Sequence, residues 1–184
     1  MSAVPKPKLI LESLHERHSG LTASLGGTFV EAASVCLSRH HESPVEMEIV
    51  CAGGSSSREV DFIKPDQRVL NAWGNAIDTT ESGAYGVSLA AVEAEEQLVA
   101  VRRAETLTGA DWYVAPVGID ADDLEGCFRL EVSGVDAGSR SSVETRLRQK
   151  VEQTRRGNSN LPAIAAVVGF KELAVVIQKV SDES

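Results

Sequence analysis

The stretch GADWYVAPVGIDADDLEGCFRLEVSG, residues Gly109–Gly134, contains two short apolar segments joined by an acidic turn. Both segments are rich in β-branched and aromatic residues and are bounded by glycine, which predicts two consecutive strands. One carboxylate accompanies each strand: Asp111 stands at the start of the first and Glu131 in the middle of the second. Two interpretations are open. The acids form a divalent-metal site of nuclease type, or they are ordinary polar residues, Asp111 at a turn and Glu131 on a solvated strand face.

The segments on either side of this stretch predict a mixed β-sheet flanked by helices. Residues 78–108 have the spacing of one long helix, with Leu98 and Val101 in its apolar stripe and Arg102 and Arg103 in its last turns, where the helix dipole favours cations. A second amphipathic helix is predicted over residues 142–156, and two apolar runs follow within residues 163–180. The first run is typical of a strand covered on both faces, whereas the second is either another strand or a buried helix. The predicted fold class is therefore α/β (α+β).

The N-terminal part of the sequence predicts a helix and a hairpin added to this sheet. Residues 1–18 are polar and contain proline, so we expect them to be loose. A helix is expected over residues 28–39, because Gly26 and Gly27 would interrupt anything earlier. Alternating Val45, Met47 and Ile49 before the GGSSS turn, with the segment REVDFIKPD after it as partner strand, predict the hairpin. Asp66 is expected to cap a short helix.

Length and composition indicate one domain of an ordinary globular protein. We expect residues 1–184 to fold together, with residues 19–80 as the N-terminal helix and hairpin and residues 81–184 as the core. The net charge of −9 argues against broad, unspecific coating of nucleic acid. No run of 18 apolar residues and no secretory signal is present, so we expect a cytoplasmic protein with no membrane partner.

The order of acidic and basic residues in the second half is that of a metal-dependent nuclease. Glu95 lies on the predicted long helix, Asp111 and Glu131 on the two strands, and Lys150 on the next helix. Residues on adjacent strands can point to one place about 5 Å apart, and Mg²⁺ is bound through one or two carboxylates. This arrangement resembles the core of the PD-(D/E)xK nuclease superfamily, the restriction-endonuclease-like fold, over residues 86–170.

The resemblance implies a Mg²⁺-dependent phosphodiester hydrolase acting on DNA. It implies that Asp111 and Glu131 hold Mg²⁺ with help from Glu95, and that Lys150 orients the attacking water. The family's acid–x–lysine motif is altered here, because Glu131 is followed by valine and then serine. Lys150 on the following helix either replaces the missing lysine, or the site is inactive, no cofactor is bound and only the fold persists.

The predicted helix over residues 142–156 carries a local excess of basic residues. Its apolar face is expected to point inward, and its exposed cations are candidates for contacts with a nucleic-acid backbone: Arg146, Arg148, Arg155 and Arg156. The other interpretation is a solvated amphipathic helix with intrahelical ion pairs.

Two functions from different classes remain open at this level. The first is a divergent nuclease that uses the acids and Lys150. The second is a non-catalytic binding protein or complex subunit that retains a nuclease-like scaffold and uses its surface for a protein partner or a second copy of itself. The low aromatic content, 4%, and the missing motif lysine favour the second.

Overall fold

The computed structural model describes residues 5–119 and 122–181. Residues 1–4, in the segment expected to be loose, and Asp120 and Ala121, in the predicted acidic turn, lie outside the described residues. In chain order, the elements are α1 (Leu14–Arg17), α2 (Ala23–Ser38), β1 (Val45–Cys51), β2 (Gly54–Val60), α3 (Gln67–Ala72), α4 (Ala76–Glu96), β3 (Leu98–Arg103), β4 (Trp112–Pro116), β5 (Phe128–Val135), α5 (Arg140–Arg155), β6 (Ala163–Gly169) and β7 (Ala174–Val180).

The strands form one seven-stranded mixed sheet in the order β2-β1-β7-β6-β5-β4-β3. Neighbours β3, β4 and β5 are antiparallel, β5 and β6 are parallel and joined by α5, and β7 returns antiparallel to β6. This confirms the predicted α/β class with a mixed sheet, an N-terminal helix and the β1–β2 hairpin. The final apolar run is a strand.

Both faces of the central strands are covered by helices. In β6, Ile164, Ala166 and Val168 pack in the core formed with α2 and α4, while Ala165 and Val167 pack against α5 on the other face. Because successive side chains of a strand point to opposite faces, a strand covered on both sides is apolar throughout. The inward face predicted for α5 is confirmed, since its buried residues are Val143, Leu147, Val151 and Thr154.

The structure corrects the expected start of the N-terminal helix. Helix α2 begins at Ala23, with Thr22 accepting a hydrogen bond from the Leu25 amide, and it continues through Gly26 and Gly27. Gly26 is buried against α1, so close packing offsets the weak helix propensity of glycine at this position.

The expectation of a loose N-terminus is wrong for the described residues. Leu9, Leu11 and Leu14 are at most 2% exposed, and His18 is fully buried. The Nδ1 atom of His18 accepts from the Ala100 amide at 2.9 Å, which places the proton on Nε2 for a hydrogen bond to a carboxylate of α4. The polar residues of this segment alternate with leucines that enter the core.

The long helix predicted over residues 78–108 is two elements. Helix α4 ends at Glu96, where Gln97 has the left-handed backbone conformation with φ 58°, and β3 follows immediately. Leu98 and Val101 are therefore strand residues, and the arginines expected in a last helical turn stand at the end of a strand. Four consecutive apolar residues, 98–101, fit a helical stripe and a buried strand equally well.

Candidate active site

Asp111 lies directly before β4 at the point where this strand meets β5. Its Oδ2 atom accepts a hydrogen bond from the Val132 amide at 2.8 Å, and its Oδ1 atom accepts one from the Tyr85 hydroxyl at 2.8 Å. The side chain is 19% exposed. These two bonds fix the carboxylate from both sides, so its orientation is set by β5 and α4 together.

Glu131 stands in the middle of β5 and points toward α5. Its Oε1 atom accepts hydrogen bonds from Lys150 Nζ at 2.6 Å and from Gln153 Nε2 at 2.9 Å. Glu131 is 4% exposed, so the interpretation that places it on a solvated strand face is wrong. Burial and the neighbouring charge of Asp111 raise the pKa of Glu131, while Lys150 opposes this shift. Two carboxyl groups and one ammonium group therefore meet in a site that is partly shielded from solvent.

A third acid approaches Asp111 through a shared tyrosine. The Tyr85 hydroxyl lies 2.8 Å from Asp111 Oδ1 and 2.9 Å from Glu81 Oε1, and it accepts a hydrogen bond from Arg103 Nη2 at 3.0 Å. A phenol has one proton, so it can donate to only one of the two carboxylates at a time. Burial and the charge of Asp111 raise the pKa of Tyr85, which keeps this proton on the hydroxyl.

Two clefts open on either side of the Asp111 carboxylate. The first cleft, of about 560 Å³, is lined by Glu81 of α4, residues 132–136 at the end of β5 and Arg146 of α5. The second cleft, of about 620 Å³, is lined by residues 103–107 and by Glu131, Gln153, Arg156 and Gly157. Asp111 and Lys150 line both clefts. The acids are thus accessible from two directions.

The structure does not bring Glu95 to this site, which corrects its assignment as a third metal ligand. Its Oε1 atom accepts hydrogen bonds from Ser56 and from Arg58 Nε of β2, both at 2.7 Å. Glu95 follows Tyr85 by ten residues, which places it about 15 Å farther along the axis of α4. The acid of α4 that lies near Asp111 is Glu81, one helical turn before Tyr85.

The four arginines predicted to contact nucleic acid separate into two groups. Arg146 lines the first cleft and Arg156 the second. Arg148 and Arg155 lie about 180° around α5 from the side that carries Arg146 and Lys150, as the helical period of 3.6 residues requires. Only the first two are therefore placed beside the acids.

Sequence reasoning missed Glu81, Tyr85 and Arg103. The i, i+4 spacing of Glu81 and Tyr85 on a helix was an available signal, but many helices carry such pairs. Arg103 was assigned to the last turn of a helix, and only the strand assignment of β3 turns it toward Tyr85. Pairing across the sheet, which local patterns do not encode, produces these contacts.

Comparison of the chain with protein-family models, with curated proteins and with solved structures gives no match. Within residues 5–119 and 122–181, no set of three or more histidine, cysteine, aspartate or glutamate side chains is arranged to hold a metal ion. No helix in the described part of the chain is both long and apolar enough to cross a bilayer.

Proposed function

We propose that this chain is a divergent PD-(D/E)xK-like protein that hydrolyses phosphodiester bonds of DNA with Mg²⁺. The observation that carries the proposal is the meeting of Asp111, Glu131 and Lys150 between two clefts. The acids come from the adjacent strands β4 and β5, and the lysine comes from the helix that follows them. This is the layout on which the resemblance to the superfamily rests.

The two carboxylates fit a divalent cation. The charge of Asp111 raises the pKa of Glu131, so a cation between the two side chains would relieve their repulsion. The two carboxyl groups are close enough to share a side-chain hydrogen bond, so a single cation in that place could contact both. Mg²⁺ needs only one or two carboxylates when water and substrate phosphates complete its octahedron. When bound, such an ion supplies acidified water and stabilises charge on the leaving oxygen.

Lys150 takes the role of the lysine missing after Glu131. Its Nζ atom lies 2.6 Å from Glu131 Oε1, and its side chain is 18% exposed at the junction of both clefts. An ammonium group at this position can hold a water molecule or a phosphate oxygen beside the acids. We assign Glu81, in place of Glu95, as the acid of α4 that assists through Tyr85.

A plasmid-nicking assay with Mg²⁺ or Mn²⁺ tests the proposal. The wild-type protein is expected to nick supercoiled DNA, and Asp111→Ala, Glu131→Gln and Lys150→Ala are each expected to lose the activity. Arg148→Ala, a substitution on the far side of α5, is the matched control and should remain active. Metal-dependent nicking that persists at the same rate in Asp111→Ala would belong to a contaminant and would refute the proposal.

The second function, a non-catalytic scaffold, is favoured by one specific observation. Lys150 already neutralises Glu131 at 2.6 Å, so the fold can balance this buried carboxylate without a metal. Thermal unfolding separates the two functions, because a ligand that binds only the folded state raises its stability. Stabilisation by Mg²⁺ or Mn²⁺ that disappears in Asp111→Ala supports the nuclease, whereas an unchanged unfolding temperature supports the scaffold.

A further inference from the structure

Three arginines line the two clefts. Arg156, at the second cleft, is paired with Glu152 at 2.9 Å, and the other two stand one at each cleft. Arg103, at the end of β3, lines the second cleft, and Arg146 of α5 lines the first. Within the described residues Arg146 forms no ion pair, and the nearest carboxylate to Arg103 is that of Asp111, at 3.7 Å. Both cations are therefore available to an anion that enters the clefts.

The guanidinium group of Arg103 is held in place by aromatic rings. Its Cζ atom lies 4.6 Å from the ring centroid of Tyr85 and 4.9 Å from that of Trp112. In the described part of the chain its hydrogen bonds use only Nη2, and the side chain is 50% exposed. Because stacking orders the side chain in advance, a phosphate could bind the remaining N–H groups with little further loss of entropy.

The carboxylates at the rims of the clefts are engaged by other residues. Glu105, beside Arg103, forms an ion pair with Arg102. Asp136, at the first cleft, accepts from Arg39 Nη1 at 3.0 Å and from His40 at 2.9 Å. The rim acids are thus partly neutralised from outside the clefts and compete less for the two arginines.

We propose that the two clefts form one groove for a nucleic-acid strand, in which Arg103 binds a phosphate on one side of Asp111 and Arg146 binds a phosphate on the other. This inference rests on the proposed function and specifies how that site recognises its substrate. The groove would bind the strand through its phosphates and not by stacking bases, because Tyr85 and Trp112 are 5% and 0% exposed and offer no surface on which bases could stack.

Binding of a fluorescein-labelled DNA duplex and of a labelled single strand, measured by anisotropy with Ca²⁺ in place of Mg²⁺, tests the groove. Arg103→Ala and Arg146→Ala are each expected to weaken binding about tenfold, as loss of a charge-assisted hydrogen bond does. Each should also reduce the slope of log Kd against log salt by about 0.7–0.9, the contribution of one phosphate contact. Arg148→Ala is the control and should leave affinity and slope unchanged.

The salt slope distinguishes the loss of a phosphate contact from a folding defect. A folding defect would lower the fraction of active protein without changing the slope. Arg103→Lys retains the charge and should keep the wild-type slope with an intermediate affinity. If wild-type protein nicks DNA while Arg103→Ala matches Arg148→Ala in slope and affinity, the groove is refuted and the nuclease assignment stands. If wild-type protein binds without nicking and Arg103→Ala reduces the slope, the groove stands and the nuclease assignment falls. Failure of the wild-type protein to bind either probe overturns the groove.

Discussion

Replacement of Lys150 by alanine tests whether the Glu131 carboxylate is ionised and paired in the folded protein. The side chains of Glu131 and Lys150 are 5% and 18% exposed, and their atoms Oε1 and Nζ lie 2.6 Å apart. Removing one partner of a buried pair costs about 3–5 kcal/mol, because the other charge is left uncompensated. Gln153 still donates to Glu131 at 2.9 Å, and Glu131 can take up a proton, so we expect a loss of about 2–3 kcal/mol at neutral pH.

The pH dependence of this loss has a definite sign. In Lys150→Ala the ammonium group no longer opposes the effects of burial and Asp111, so the pKa of Glu131 rises further above its unfolded value of about 4.3. A raised carboxyl pKa means that the folded state holds the proton more tightly, so stability falls as pH rises above about 4.3 and levels off once the folded pKa is passed. The variant should therefore lose most stability at alkaline pH and least in acid.

Urea denaturation followed by circular dichroism, across a pH series from acid to alkaline, measures this difference. At neutral pH the expected loss corresponds to a fall of roughly 5–10 °C in the unfolding temperature for a chain of this length. Arg148→Ala should stay within about 0.5 kcal/mol of wild type, as exposed substitutions usually do. The same loss for Lys150→Ala at every pH, or no loss at all, would show that Glu131 is not a buried carboxylate paired with Lys150.

Three further substitutions test the packing of the N-terminal segment and of α4. Leu14→Ala should lower the free energy of unfolding by about 2–5 kcal/mol in a denaturant titration, because Leu14 is fully buried. A near-neutral effect would instead support a loose N-terminal segment. Glu93→Gln should cost about 1–2 kcal/mol at neutral pH through its weakened contact with His18. Burial raises the pKa of Glu93, but its contacts with His18 and Arg17 outweigh this and lower it. The cost should therefore shrink as pH falls below the unfolded value of about 4.3 and vanish only below the lowered pKa; a cost that persists in strong acid contradicts this account. Gly134→Ala should lower the free energy of unfolding by about 1–3 kcal/mol and reduce nicking, because a Cβ atom would lie 2.7 Å from Thr80 Cγ2 and 2.8 Å from Thr80 O. Wild-type stability of this variant would show that α4 can move away from β5 at little cost.

Local patterns determined most of the fold. Period-two alternation located β1 of the β1–β2 hairpin, although four of the five residues of the expected GGSSS turn belong to β2. A continuous apolar run located β6, whereas the run of β7 left a strand and a buried helix open. The four-residue spacing of its apolar residues identified the inward face of α5. These predictions held because the backbone period of a strand or helix decides which of a few neighbouring residues face the core. The spacing of apolar residues therefore indicates both the element and its buried face.

The proximity of Asp111, Glu131 and Lys150 was predicted on a different basis. Asp111 and Glu131 were expected to meet because adjacent strands place their residues side by side, and the structure pairs β4 with β5 accordingly. Lys150 was predicted because it lies on the helix that follows Glu131, and the structure places its Nζ atom 2.6 Å from Glu131 Oε1. Glu95 was wrong because the position of a helix along a sheet decides which of its turns reaches a strand end.

By itself, the sequence determined the α/β class, the strands that carry the two acids and the buried face of α5, since each follows from residues close together in the chain. Only the tertiary structure decided that residues 98–103 form an edge strand, that leucines of the first 18 residues enter the core, and that Tyr85 and Arg103 reach Asp111. These outcomes depend on contacts between residues far apart in the chain. Such contacts stabilise the fold only once the sheet and helices have packed together.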